Sequence, residues 1–164
     1  MIALKNVLVA MDFDDASEMA LSYGREFCRT FGARLHVVHV VQDLGGHAGA
    51  PEFSASLGRL QAEVLESARK RIDRLISDED RLTLRATVAI PTHTSAARAI
   101  VACAREAQID LIVLGTHGRT GMDRLFVGSV AEGVTRAAPC PVLVVRHPER
   151  EFVRPDALET VAHA

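Results

Sequence analysis

Residues 111–129 read LIVLGTHGRTGMDRLFVGS. The stretch opens on an unbroken apolar run, 111–114, the pattern of a strand covered on both faces. Gly115 closes that strand. Gly118, Gly121 and Gly128 punctuate the loop beyond it, and Ser129 opens a segment of helical pattern. Glycines leave backbone N–H groups uncovered and permit φ > 0, so such a loop can wrap an anion. A helix N-terminus behind the loop adds unpaired N–H donors and a partial positive charge. Together these suit a phosphate. Arg119 and Arg124 add forked donors, and His117 lies in the same loop as a possible phosphate partner or a plain exposed histidine. Ser129 reads as a helix cap, as a phosphate donor, or as both. The loop is not a Walker A loop, since no Gly-Lys-Ser/Thr follows it, and no G-x-G-x-x-G is present.

Outward from this stretch, the chain alternates strands with helices. Residues 6–10, NVLVA, form a second unalternating apolar run. Asp12, Asp14 and Asp15 follow it, with Asp14 placed to cap a helix that runs to Phe31 and stops at Gly32. Residues 35–41, LHVVHVV, predict the second strand. Residues 43–57 are rich in Gly, Ala, Ser and Pro and read as a loop. From Leu57, apolar residues at Leu60, Val64, Leu65, Ala68, Ile72, Leu75 and Ile76 predict a long amphipathic helix with a charged, solvated outer face. Leu82, Leu84, Ala86 and Val88 alternate with polar residues, as in a half-buried third strand. Pro91 and Thr92 then make a loop. Thr94 or Ser95 caps a helix over 96–107. After the fourth strand at 111–114 come a short helix at 129–137 and a fifth strand, Val142–Val145. This alternation predicts an α/β fold, a single doubly wound, mostly parallel five-stranded sheet with helices on both faces.

The chain has 164 residues, enough for one domain with a sizeable core. Its net charge of −2, single Tyr and absence of Trp speak against nucleic acid as a partner. No apolar run approaches the length of a membrane span. The N-terminus lacks the pattern of a secretory leader, so a cytoplasmic location is expected. Cys28, Cys103 and Cys140 are odd in number and widely spaced, which fits reduced thiols and neither a disulfide frame nor a zinc site. His36 and His39 are three apart in a strand and share no face. No Ser-His-Asp or Cys-His arrangement and no general base stands out, so no catalytic residue is named.

Gly115, Gly118, Gly128 and Ser129 make the spacing G-x2-G-x9-G-S. With the strand before it, the helix after it and the closing segment APCPVLVVR at 138–146, the chain resembles the nucleotide-binding branch of the universal stress protein family. The resemblance covers roughly residues 5–146, so the expected division is a domain at 1–146 and a C-terminal tail at 147–164, to which no role is assigned. It implies strand order 3-2-1-4-5. It implies ATP, or ADP or AMP, bound with Mg²⁺ or Mn²⁺, although no metal-holding residue is assigned. Asp12, which otherwise reads as a helix cap, then lies near ribose or adenine or helps hold the metal. Val40 takes the adenine-edge position, and Val130 lies beside the phosphates through its backbone N–H. Arg119 and His117 belong to the phosphate loop.

The implied role is nucleotide-responsive and regulatory or protective under stress, with slow or no hydrolysis and with Ser129 or Thr120 as autophosphorylation candidates. Two other readings remain: a stress protein working through partners without nucleotide, and a slow phosphohydrolase on the same fold. Finally, the fifth strand lies at the sheet edge in this order, and its apolar PVLVV run at 141–145 suggests a homodimer paired through Val142–Val145.

Overall fold

The computed structural model describes residues 1–45, 51–116 and 128–146, with helix backbone but no side chains at 51–54. His117, Gly118, Arg119, Thr120, Gly121, Arg124 and the tail lie outside the described residues.

The first half of the chain runs β1 (Asn6–Ala10), α1 (Asp15–Phe31), β2 (Arg34–Val38), β3 (Val41–Gln42) and α2 (Pro51–Leu75). Next come α3 (Asp78–Thr83), β4 (Thr87–Ala89), β5 (Thr92–His93) and α4 (Ala96–Glu106). The described residues finish with β6 (Leu111–Gly115), α5 (Ser129–Ala137) and β7 (Val142–Val145). The main sheet has five strands in the order β4-β2-β1-β6-β7, and every pair in it is parallel. With β3 and β5 set apart in a small parallel pair of their own, this is the expected order 3-2-1-4-5.

Parallel strands need crossovers, and the helices that make them cover both faces. Successive residues of the central strands therefore enter different cores. Val7, Val9, Leu35, Val37 and Val113 pack with Ala20, Leu21, Ile72 and Ile76 on the α1/α2 side. Leu8, Ala10, Val38, Ile112 and Leu114 pack with Ile100, Ala104, Ala131 and Val134 on the α4/α5 side. Burial on both faces is why these strands read as continuous apolar runs.

Local chemistry sets the helix ends. Asp14 accepts from the Ser17 amide at 2.7 Å and caps α1. Gly32, at φ 66°, closes α1 in the left-handed conformation that costs glycine least. Ser95 caps α4. Gly24 lets α1 lie directly on Val9 of β1, where an added Cβ would collide with the valine side chain.

Three expectations are corrected. The third strand is much shorter than the alternation implied. Ser77 and Asp80 form a reciprocal capping box that starts α3 over the first part of that segment, and Leu82 is 81% exposed. The loop expected at 43–57 is helical from Pro51, where proline suits the first helical position. Leu60 and Val64 on α2 are exposed, and the buried stripe of that helix begins only at Ala68. Two smaller differences follow from the β3/β5 pair: the second strand breaks after Val38, and Thr92 is in a strand.

Candidate functional site

In an open parallel sheet the crevice lies off the carboxyl ends of the strands, where the chain order reverses. Here that place is between β1 and β6. A cavity of about 160 Å³ opens there. Its lining brings together Asp12, Val40, Gly115, Gly128, Ser129 and Val130, with Met11, Ser17, Thr116 and Ile100 among the others. Glycine spacing points to Gly115, Gly128 and Ser129, and the family resemblance adds Asp12, Val40 and Val130 to the same site; the sequence reading missed the rest. Ser17 and Thr116 carried only a positional signal, in the first turn of α1 and directly behind β6.

The loop after β6 is closed at its base. Thr116 donates its amide to Val145 at 2.8 Å, and the Gly128 amide donates to the Thr116 carbonyl at 2.7 Å. Residue 128 is thus pinned beside residue 116, and α5 starts at the cavity wall. Gly128 occupies the cap position of α5 and offers no side-chain hydrogen bond. Ser129 is therefore the first helical residue and not the cap. The first helical bond at this end runs from the Glu132 amide to the Gly128 carbonyl at 3.0 Å. The amides of Ser129, Val130 and Ala131, all in residues lining the cavity, precede it and have no helical acceptor. The N-termini of α1, α3 and α4 are each served by a side chain.

Gly115 packs against the start of α1. A Cβ at this position would come within 2.9 Å of the Ala16 Cβ and 3.0 Å of the Ser17 amide nitrogen. Only a bare backbone allows β6 and α1 to meet there.

Asp12 sits at the mouth of β1, half-buried. Its Oδ1 accepts the Asp14 amide at 3.2 Å, and its own amide donates to Ser17 Oγ at 3.3 Å. Burial raises the pKa of Asp14, and the neighbouring Asp12 charge adds to the rise against the lowering pull of the Ser17 amide. The two carboxylates divide their work: Asp14 caps α1, while Asp12 borders the cavity.

On the opposite wall the main sheet releases the chain after Val38. The His39 amide pairs with Ala89 and the Val41 amide with Pro91. Between them, Val40 makes no backbone hydrogen bond among the described residues, which leaves an N–H donor and a C=O acceptor side by side at the cavity.

Phe13, beside Asp12, has φ 69°, an uncommon value for a bulky residue. Such backbone costs on the order of 1–3 kcal/mol unless its surroundings hold it. Its ring lies 4.4 Å from the His39 ring, and the Arg71 guanidinium sits 4.0 Å from its centroid.

Thiol chemistry finds little support. All three cysteines are free. Burial pushes the Cys28 thiol up to about 12, and it raises Cys103 and Cys140 as well. Thiolate chemistry is therefore disfavoured at neutral pH. Among the described residues no group of three or more His, Cys, Asp or Glu could hold a metal ion. Among them, too, no helix is long and apolar enough to cross a membrane.

Comparison with known proteins agrees with this architecture. The sequence model of the Universal stress protein family matches residues 3–146. The chain belongs to the universal stress protein family. A curated universal stress protein of Thermus aquaticus is 35% identical over 144 residues, covering 87% of this chain and 98% of its relative. Among solved structures, universal stress protein UspA of Lactobacillus plantarum has a TM-score of 0.78 at 26% identity, covering 89% of this chain and all of the other. More distant members share the fold. One in complex with cAMP has 21% identity and a TM-score of 0.56, covering 88% of this chain and 98% of the other. One of Archaeoglobus fulgidus in complex with dAMP has 24% identity and a TM-score of 0.54, covering 88% of this chain and 99% of the other.

Proposed function

We propose that this universal stress protein binds an adenine nucleotide in the β1/β6 cavity, with ATP ahead of ADP and AMP, and acts as a nucleotide-responsive stress protein of the cytoplasm. The observation that carries the proposal is the α5 N-terminus. Among the described residues it has no capping side chain, and the residues whose amides lack a helical acceptor line the cavity. A phosphate supplies the acceptors and the negative charge that such a helix end favours.

The rest of the cavity suits the rest of a nucleotide. Val38, Ile100 and Leu114 give apolar walls for a base. The N–H and C=O of Val40, without a backbone partner among the described residues, match the paired acceptor and donor on the adenine edge. Asp12 offers a carboxylate to ribose hydroxyls. Gly115 keeps the floor open, Gly128 and Ser129 meet the phosphates, and Val130 contributes its amide. His117, Gly118 and Arg119, beyond the described residues, belong to the same proposed phosphate loop. The cAMP and dAMP complexes of distant members support an adenine nucleotide as the ligand class.

Mg²⁺ or Mn²⁺ would travel with ATP, held largely by phosphate oxygens and water, with Asp12 as the cavity carboxylate within the proposed site. The cation would neutralise phosphate charge. We assign no general base, so hydrolysis should be slow or absent. We also propose a homodimer paired through Val142–Val145, since β7 ends the order of the described sheet.

Mass spectrometry of small molecules released from purified, undialysed protein tests the ligand class. An adenine nucleotide in near-stoichiometric amount is expected. A different ligand class, or none after expression in cells rich in ATP, would count against the proposal.

A further inference from the structure

Phe13 does not line the cavity, yet it joins the cavity carboxylate to its turn. It packs on the α1/α2 side of the sheet, as Met11 does, whereas Ala10, Val38, Ile100, Leu114 and Ala131 of the cavity wall belong to the α4/α5 side. Three contacts fix it. The His39 ring lies 4.4 Å away at an interplanar angle of 46°, and its Nδ1 is 2.8 Å from the Met11 carbonyl oxygen. Arg71, one residue before the buried Ile72 of α2, lays its guanidinium 4.0 Å from the ring centroid. The ring also rests on the α1/α2 core.

A turn with φ 69° needs no ring; glycine adopts it at lower cost. What the ring adds is a hold on the backbone between Asp12 and Asp14. That backbone sets the bond from the Asp14 amide to Asp12 Oδ1 at 3.2 Å, and with it the aim of the Asp12 carboxylate.

We propose that Phe13 is a positioning residue for the nucleotide site, its ring clamped between His39 and Arg71 so that the turn holds Asp12 toward ligand. Through Arg71, the seating of α2 bears on the site. The inference rests on the nucleotide-binding reading above.

The test uses the full chain and ATP with Mg²⁺. Calorimetric affinity is measured for wild type, Phe13→Gly, Phe13→Tyr and Arg71→Met. Thermal midpoints are recorded for all four, and hydrogen exchange of the Asp14 amide is followed without ligand. Phe13→Gly permits the turn but removes the ring, so ATP affinity should fall about three- to tenfold while Asp14 exchanges faster. Phe13→Tyr keeps the ring and should bind within about twofold of wild type. Arg71→Met removes the cation from an exposed site and should cost about two- to threefold. Should Phe13→Gly fail to fold, Arg71→Met carries the same comparison. Wild-type affinity and unchanged Asp14 exchange in the ring-less or cation-less variant would overturn the clamp alone. A wild type that binds no ATP would overturn the nucleotide reading, and the clamp as a ligand-positioning device with it.

Discussion

Asp12 and Asp80 show how environment assigns different work to one side-chain type. Asp12 borders the cavity, and its carboxylate already accepts the Asp14 amide. Asparagine keeps an oxygen for that bond and loses the charge. Asp12→Asn should therefore leave the thermal midpoint near wild type and weaken ATP binding about tenfold, the worth of one charge-assisted hydrogen bond. A collapse of stability with ATP affinity unchanged would make Asp12 a structural residue only.

Asp80 is buried at 3% exposure and engages Arg25 through two bonds, of 3.0 and 2.7 Å. Burial alone would raise its pKa; the Arg25 guanidinium and the Ser77 amide outweigh burial and lower it. A carboxylate whose folded pKa is depressed stabilises the fold above its unfolded pKa, about 3.9, and that contribution fades as pH falls through the folded value. Arg25→Ala strands the buried carboxylate and should cost about 2–3 kcal/mol at neutral pH. Urea unfolding at pH 7 and at pH 3 should show the loss shrinking in acid. An equal loss at both pH values would contradict this account. The Arg25–Asp80 pair spans 55 positions, a separation at which no sequence pattern links two residues.

At the scale of elements, the β6–α1 contact decides whether the cavity can exist. Gly115→Ala places a methyl group within 3.0 Å of backbone atoms of Ala16 and Ser17. Backbone cannot swing aside as a flexible side chain can, so α1 must shift off β6. The expected cost is about 1–3 kcal/mol, a fall of several degrees in thermal midpoint for a chain of this size. Nucleotide affinity should fall with it. An unchanged midpoint by calorimetry would show that α1 yields freely. The same scale explains what was legible beforehand. The central strands could be read because burial on both faces leaves a distinctive apolar run. The helix caps Asp14 and Gly32 could be read, and the cap of α4 narrowed to Thr94 or Ser95, because capping chemistry is local. The segment from Leu82 misled because its alternation continued through a helix turn and the residues behind it. The decisive signal was the Ser77–Asp80 capping box upstream. Pro51 carried the missed start of α2. The strained turn at Phe13 had no sequence signature, since its support comes from His39 and Arg71, on separate segments.

At the scale of the whole molecule, six of the candidate residues converge on one cavity because the chain order reverses between β1 and β6. Their convergence depended on strand order, which periodicity alone does not fix. The same order leaves β7 at one end of the described sheet. Paired antiparallel with a second copy, its backbone groups would be satisfied and its half-exposed valines covered. Light scattering coupled to chromatography should find a dimer at tens of micromolar. Deletion from Glu149 onward should leave it intact. Val144→Lys should give monomer or misfolded protein. A monomeric wild type would remove the dimer.

Whether the cavity takes an adenine nucleotide is decided by titrating ligand-free, full-length protein with ATP and Mg²⁺ in a calorimeter. The account predicts one site per chain with a dissociation constant of about 1–100 µM. Absence of binding at about 1 mM ATP would contradict it.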